Sequence, residues 1–150
     1  MTESTLKELL SESMKSAMKA KDKDRLKTIR LALSDIKRVE VDTRAEQSDS
    51  QIIAILDKMV KQRRESIKQF ELGGRSELAA QEQFEIEVLN EFLPKALGDD
   101  EIDSLIRSAI TDSGAETIKD MGKVMGLIKP RVIGRADLSL ISKKIKDRLS

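Results

Sequence analysis

The sequence predicts an all-α protein, and three observations carry that prediction. Charged residues make up 37% of the 150 positions and aromatics 2%, with no Trp or Tyr and only Phe70, Phe84 and Phe92. A chain rich in Ala, Leu, Ile, Glu and Lys suits helices better than sheets, because straight side chains keep most of their rotamer freedom on a helix. Apolar residues recur at three- and four-residue spacing, and capping residues punctuate the chain between the periodic stretches. The expected layout is an N-terminal bundle of about four helices in residues 1–93 and a small three-helix tail in residues 94–150.

The first helix runs from about Thr5 to Ala20, with Leu6, Leu9, Leu10, Met14, Ala17 and Met18 on one face. Lys21-Asp22-Lys23-Asp24 breaks the periodicity, and Asp22 or Asp24 caps a second helix carrying Leu26, Ile29, Leu33 and Ile36. The polar stretch from Asp42 to Asp49 reads as a loop. Ser48 followed by Gln51 matches a capping box for a long third helix with Ile52, Ile53, Leu56, Met59, Val60, Ile67 and Phe70 in register. Gly73-Gly74 stops it. Ser76 caps a fourth helix through Leu78, Phe84, Val88 and Leu89, and Pro94 biases Leu93 out of helical geometry, so the boundary falls between Leu93 and Gly98.

In the tail, Asp99 opens a fifth helix with Ile102, Leu105, Ile106, Ala109 and Ile110, closed by Gly114. A sixth helix spans the glycine-lysine segment and is expected to end at Pro130. Asp137 caps a last one bearing Leu138, Ile141, Ile145 and Leu149. On the sixth helix, Ile118, Met121, Val124, Met125 and Ile128 gather on one side and Lys119, Gly122, Lys123 and Gly126 on the other. Glycine costs about 1 kcal/mol relative to alanine inside a helix. Something should offset that: either close packing against the last helix or close approach of a ligand backbone.

Composition removes much chemistry. The chain has no His and no Cys, so the commonest general base, the usual zinc ligands and every Ser-His-Asp or Cys-His arrangement are absent. Gly122-Lys123 is not a phosphate loop, since Val124 stands where a Ser or Thr must follow the lysine. Glu82, Glu85, Glu87 and Glu91 read as a solvated helix face. Asp99-Asp100-Glu101 at a helix start is explained by capping and the helix dipole. No catalytic residue, metal site or cofactor is expected. Without a secretory leader or an apolar run that could span a bilayer, the expected location is cytoplasmic, with no membrane partner.

Charge distribution says more than the net charge of +1. Residues 98–117 hold six acids and one basic residue, whereas residues 118–150 hold nine basic residues and three acids. Either the acidic helix neutralises its basic neighbours, or the last part of the chain carries a surface that contacts phosphate. In the N-terminal unit basic and acidic totals balance, so solvated faces are the default there. No aromatic is interleaved with the lysines, which argues against stacking on single-stranded bases.

The segment "DMGKVMG…KP…GRAD", Asp120 to Asp137, strongly resembles the YqeY family. So, in the right order, do "AMKAKDKDRLKTIRLAL" (Ala17 to Leu33), "QRRESIKQF" (Gln62 to Phe70), "GGRSELAAQE" (Gly73 to Glu82) and "FLP" (Phe92 to Pro94). One departure is Leu138, where family members often have Gly after the "GRAD" aspartate. The family's domain recurs as the tail of the B subunit of the tRNA-dependent amidotransferase, a carbon-nitrogen ligase with glutamine as amido-N-donor. The resemblance implies a two-part helical protein and a non-catalytic accessory or tRNA-binding module. Its implied partners are tRNA and the aminoacyl-tRNA amidation or synthetase machinery. The alternative class is a protein–protein adaptor with no RNA contact. Candidate tRNA or phosphate contacts are Lys119, Gly122, Lys123, Gly126, Lys129, Arg131 and Arg135.

Overall fold

A computed structural model describes residues 5–150. Met1–Ser4, on which the expectation about a secretory leader falls, lie outside the described residues. Among those described there are seven α-helices, a single 3-10 turn and no strand, so the chain is all-α. Contacts divide it into two compact units, one ending at Leu93 and one spanning Pro94–Ser150.

The first unit contains α1 (Leu6–Lys19), α2 (Lys23–Thr43), α3 (Asp49–Leu72) and α4 (Ser76–Asn90). Thr5, Asp22 and Ser48 each accept a hydrogen bond from a first-turn backbone N–H, and Ser48 with Gln51 closes a full capping box. Each such cap is worth about 1 kcal/mol. The turn from α1 into α2 holds Lys21 in the left-handed region (φ 56°), which strains a side chain bearing a Cβ. The core interlocks Leu6 and Leu10 of α1, Ile29, Ala32 and Ile36 of α2, Ile52, Leu56, Met59 and Val60 of α3, and Ile86, Val88 and Leu89 of α4. At α1's start, the Leu6 N–H donates to Asp49 Oδ1 (3.0 Å), and Glu40 Oε1 accepts from Lys7 Nζ (2.9 Å).

Several expectations for this unit are corrected. Leu9, Met18 and Leu78 are exposed; Ala79 and Ile86 face the core on α4 instead. Arg75 occupies the cap position of α4 and Ser76 is its first residue, with no side-chain cap. The acidic run is not uniformly solvated. Glu85 is buried and accepts from Arg63 Nη2 at 3.3 Å, while Arg63 Nη1 donates to the Met59 carbonyl at 3.2 Å. Arg63 Nε lies 3.9 Å from Glu82 Oε2 and has no hydrogen-bond partner among the described residues. This half-buried cluster ties α3 to α4. Removing one partner of such a group leaves the other charge uncompensated.

The second unit contains α5 (Asp99–Ser113), the 3-10 turn Ile118–Asp120, α6 (Met121–Val132) and α7 (Leu138–Leu149). Its core joins Ile102, Ile106 and Ala109 of α5, Val124, Ile128 and Val132 of α6, and Ile141 and Ile145 of α7. Gly114 ends α5 in the left-handed conformation (φ 69°). Pro130 does not end α6; it lies inside it. Proline's missing N–H removes a single bond near the helix end, and Val132, fully buried, holds the last turn in place.

Two measurements follow. Limited proteolysis should cut first between Leu93 and Asp99 or between Arg44 and Ser48; cleavage confined to helix interiors would contradict a separable tail. Burial, then the neighbouring Glu85 charge, pushes the Glu82 carboxyl above its ordinary value, against the pull of Arg63 and Lys27. An acid raised on folding binds its proton more tightly in the native state, so its stability contribution improves as pH falls through the raised value. Urea titrations of wild type and Glu82→Gln should therefore show the variant gaining most at neutral pH and its advantage shrinking with acidification.

Candidate phosphate-binding face of the tail

The burial of Val124, Ile128 and Val132, with Met121 and Met125 packed alongside, fixes the rotation of α6. The opposite face then carries Gly122, Lys123, Gly126, Lys129 and Pro130, all exposed. Gly122, Gly126 and Pro130 follow one another at four-residue steps, so a track poor in side chains runs along the outside of the helix between Lys129 and Lys123. A Cβ added at Gly122 or Gly126 would meet no atom within 4 Å. Neither glycine is needed for packing among the described residues. Because Pro130 has no N–H, the helical bond to the Gly126 carbonyl on the same track is not made.

The start of α6 is set by Asp120. Its Oδ2 accepts from the backbone N–H of Glu116 (3.0 Å) and of Thr117 (3.3 Å), and Thr117 and Asp120 form a reciprocal capping box. The hydrogen bonds from Glu116 and Thr117, with Lys123 nearby, hold the Asp120 carboxyl below its ordinary value. The side chain therefore orders the turn and places one negative charge next to Lys123.

The sequence-derived candidates do not all converge. Lys119 sits in the 3-10 turn rather than on the α6 wheel, and Ile118, expected on the apolar side, is 42% exposed. Gly122 lies in the first turn of α6, so the helix-interior cost falls mainly on Gly126. Arg135 follows the helix, where its Nε donates to the Lys95 carbonyl (3.2 Å) and its own carbonyl accepts from Leu97 N–H (2.8 Å). Arg131 and Arg135 line a cavity of about 630 Å³ shared with Asp100, Glu101 and Leu105. The α6 face thus keeps Lys123 and Lys129, with Arg131 at its rim and Arg135 displaced toward acidic company. Sequence reasoning missed Leu127, 45% exposed beside the glycine track. The sequence wheel assigns it to neither side.

Within the tail, the one ion pair among the described residues joins Lys144 to Asp103 at 3.1 Å. Among the described residues no acid of α5 makes an ion pair with a basic residue of α6, although Asp100 and Glu101 share a cavity with Arg131. Among the described residues no group of His, Cys, Asp and Glu is arranged to hold a metal, and no helix is long and apolar enough to cross a membrane.

Comparison with known proteins now places the chain. The sequence profile of the family described as Yqey-like protein matches residues 7–149. The chain belongs to the YqeY-like family. Its relatives include the altered inheritance of mitochondria protein 41, mitochondrial, of Pyrenophora tritici-repentis, 31% identical over 92% of this chain and 77% of that protein. The protein of the same name from Lachancea thermotolerans is 35% identical over 69% of this chain, which spans only 57% of that relative. A Schizosaccharomyces pombe protein of uncharacterized function is 29% identical over 60% of this chain and 73% of its own length. The expected cytoplasmic location is corrected by these relatives, several of which are named as mitochondrial proteins. That expectation weighs signals for secretion and membrane insertion, which do not bear on entry into mitochondria.

If Asp120 orders the entry to α6, Asp120→Ala should speed hydrogen exchange across residues 116–126 of the full-length protein. A carboxyl lowered on folding stabilises above its unfolded value and loses that effect as pH falls through the folded one. The difference in thermal midpoint between wild type and variant should therefore be largest at neutral pH and vanish in acid.

Proposed function

We propose that this YqeY-like chain is a non-catalytic tRNA-binding or accessory module, with α6 presenting the phosphate-contacting face. In this reading the first four helices form one bundle and the last three a separate tail domain, related to the tail of the tRNA-dependent amidotransferase. The observation that carries the reading is the open glycine track flanked by lysines. Two helical glycines that pack against nothing in the described chain are accounted for when something outside the chain comes close to the backbone. Lysines on both sides suit a phosphodiester, whose contacts position a partner without reading its sequence. Catalysis is no part of this proposal: the sequence has no His and no Cys, and among the described residues no group of carboxylates is arranged to hold a metal.

One observation favours a second reading. Leu127 is exposed on α6 beside the lysine-glycine face, and an apolar side chain next to small residues also suits a partner helix. That is the adaptor hypothesis, and mutation separates the two.

Neutralising Lys123 and Arg131 together should weaken retention of different tRNAs about equally. It should also make the salt dependence shallower by roughly one log unit per lost contact. Gly126→Leu should lower tRNA affinity while raising the thermal midpoint slightly, since space is open at that position and a helix interior favours Leu over Gly. Unchanged tRNA retention in both variants, with a protein partner lost on Leu127→Ser, would put the adaptor reading first.

A further inference from the structure

The balanced charge totals of the first unit conceal a segregated surface. α2 turns Thr28, Ile29, Ala32 and Ile36 into the core, which fixes the outward line as Lys23, Lys27, Arg30, Ser34, Lys37 and Val41. These positions step by four or three residues and all are exposed. They cover about 27 Å of helix at roughly 1.5 Å per residue. No acid interrupts the line. The acids of α2 lie off it: Glu40 is held by Lys7, Asp35 pairs with Arg38 at 3.3 Å, and Asp24 and Asp42 lie on the flank. Among the described residues Lys23, Lys27, Arg30 and Lys37 are in no ion pair, although Lys27 is close enough to Glu82, and Lys37 to Glu40, for their charges to be felt there. The alkyl stems of Lys23, Lys27 and Arg30 border a shallow depression of about 450 Å³ floored by Leu26 and Leu31.

We infer that this outward line of α2 is a second nucleic-acid contact, which lies along the phosphate backbone of duplex RNA. Unpaired cations in a row match a row of phosphates in charge. A protein partner fits less well, because lysine is depleted from protein interfaces and the centre of this line is charged. A lipid surface needs a continuous apolar face to insert, whereas here the exposed apolar side chains of α2 are Val41 at one end of the line and Leu31 on its flank, ten residues apart. Single strands would call for aromatic platforms, and no aromatic lies on α2. Duplex RNA is recognised largely through its shape and backbone, which needs none. The choice of RNA over DNA rests on the tRNA reading above; the site itself rests on the charge pattern of α2.

The test uses the full-length protein and a fluorescein-labelled 16-base-pair RNA duplex of mixed sequence, followed by anisotropy across a salt series. The triple variant Lys27→Ala, Arg30→Ala and Lys37→Ala should lose at least about tenfold in affinity, and its log–log salt slope should become shallower by roughly two to three units. The swap Lys27→Arg, Arg30→Lys and Lys37→Arg should bind like wild type, which separates charge from helix damage. In wild-type protein, the duplex should protect Lys23, Lys27 and Lys37 from an amine-acylating reagent, read by mass spectrometry. The double variant Lys123→Ala and Arg131→Ala, run alongside, scores the tail separately: an effect of the α2 variant with none of the tail variant supports α2 and removes the tail proposal. Wild-type affinity in the α2 triple variant, or absence of lysine protection, overturns the inference. So does tighter binding to an equally charged DNA duplex, to polyglutamate or to anionic vesicles.

Discussion

The functional geometry of the tail depends on a single buried edge of α6. Val124, Ile128 and Val132 are sealed against α5 and α7, and burying each such side chain is worth about 1.5–3 kcal/mol. That edge leaves the helix one rotational setting. Everything else on α6 follows from it, including the outward glycines, the lysines beside them and the exposure of Leu127. A charged residue in the edge would disturb the fold and the outer face together, whereas changes on the outer face can be tested with the fold intact. The same logic governs α2, where a buried row of Ile29, Ala32 and Ile36 dictates which cations share the solvent line.

Features set by neighbours in sequence were readable in advance. The Ser48–Gln51 capping box, the end of α5 at Gly114 and the Ile141–Ile145 core edge of α7 each depend on a few adjacent residues. Features set by distant partners were not. Glu85 looks like one acid among several until Arg63, twenty-two positions earlier, supplies the guanidinium that permits its burial. Pro130 looks like a stop because local rules weigh its lost hydrogen bond and not the tertiary anchoring of Val132. For the candidate site, the lysines and glycines were legible as a face. The diversion of Arg135 toward Lys95 and the acidic side of α5 was not, because it depends on a backbone contact forty residues away.

The α2 line shows a different gap between pattern and total. Its spacing was present in the sequence, yet a balanced count of acids and bases over the unit gave no reason to look for it. Once Glu40 is tied to Lys7 and Asp35 to Arg38, the negative charge is drawn off to the sides and the remaining cations stand together. Electrostatic character on a helical surface is therefore a property of rotation as much as of composition.

At twelve residues each, α6 and α7 fall at the margin of what an isolated helix can sustain in water. They persist because each completes the other's buried side, so the tail gains or loses them as one cooperative unit. A ligand held on the outside of α6 would then slow the opening of α7 amides that it never touches. Through mass action, occupancy at one helix would register as protection across the whole tail.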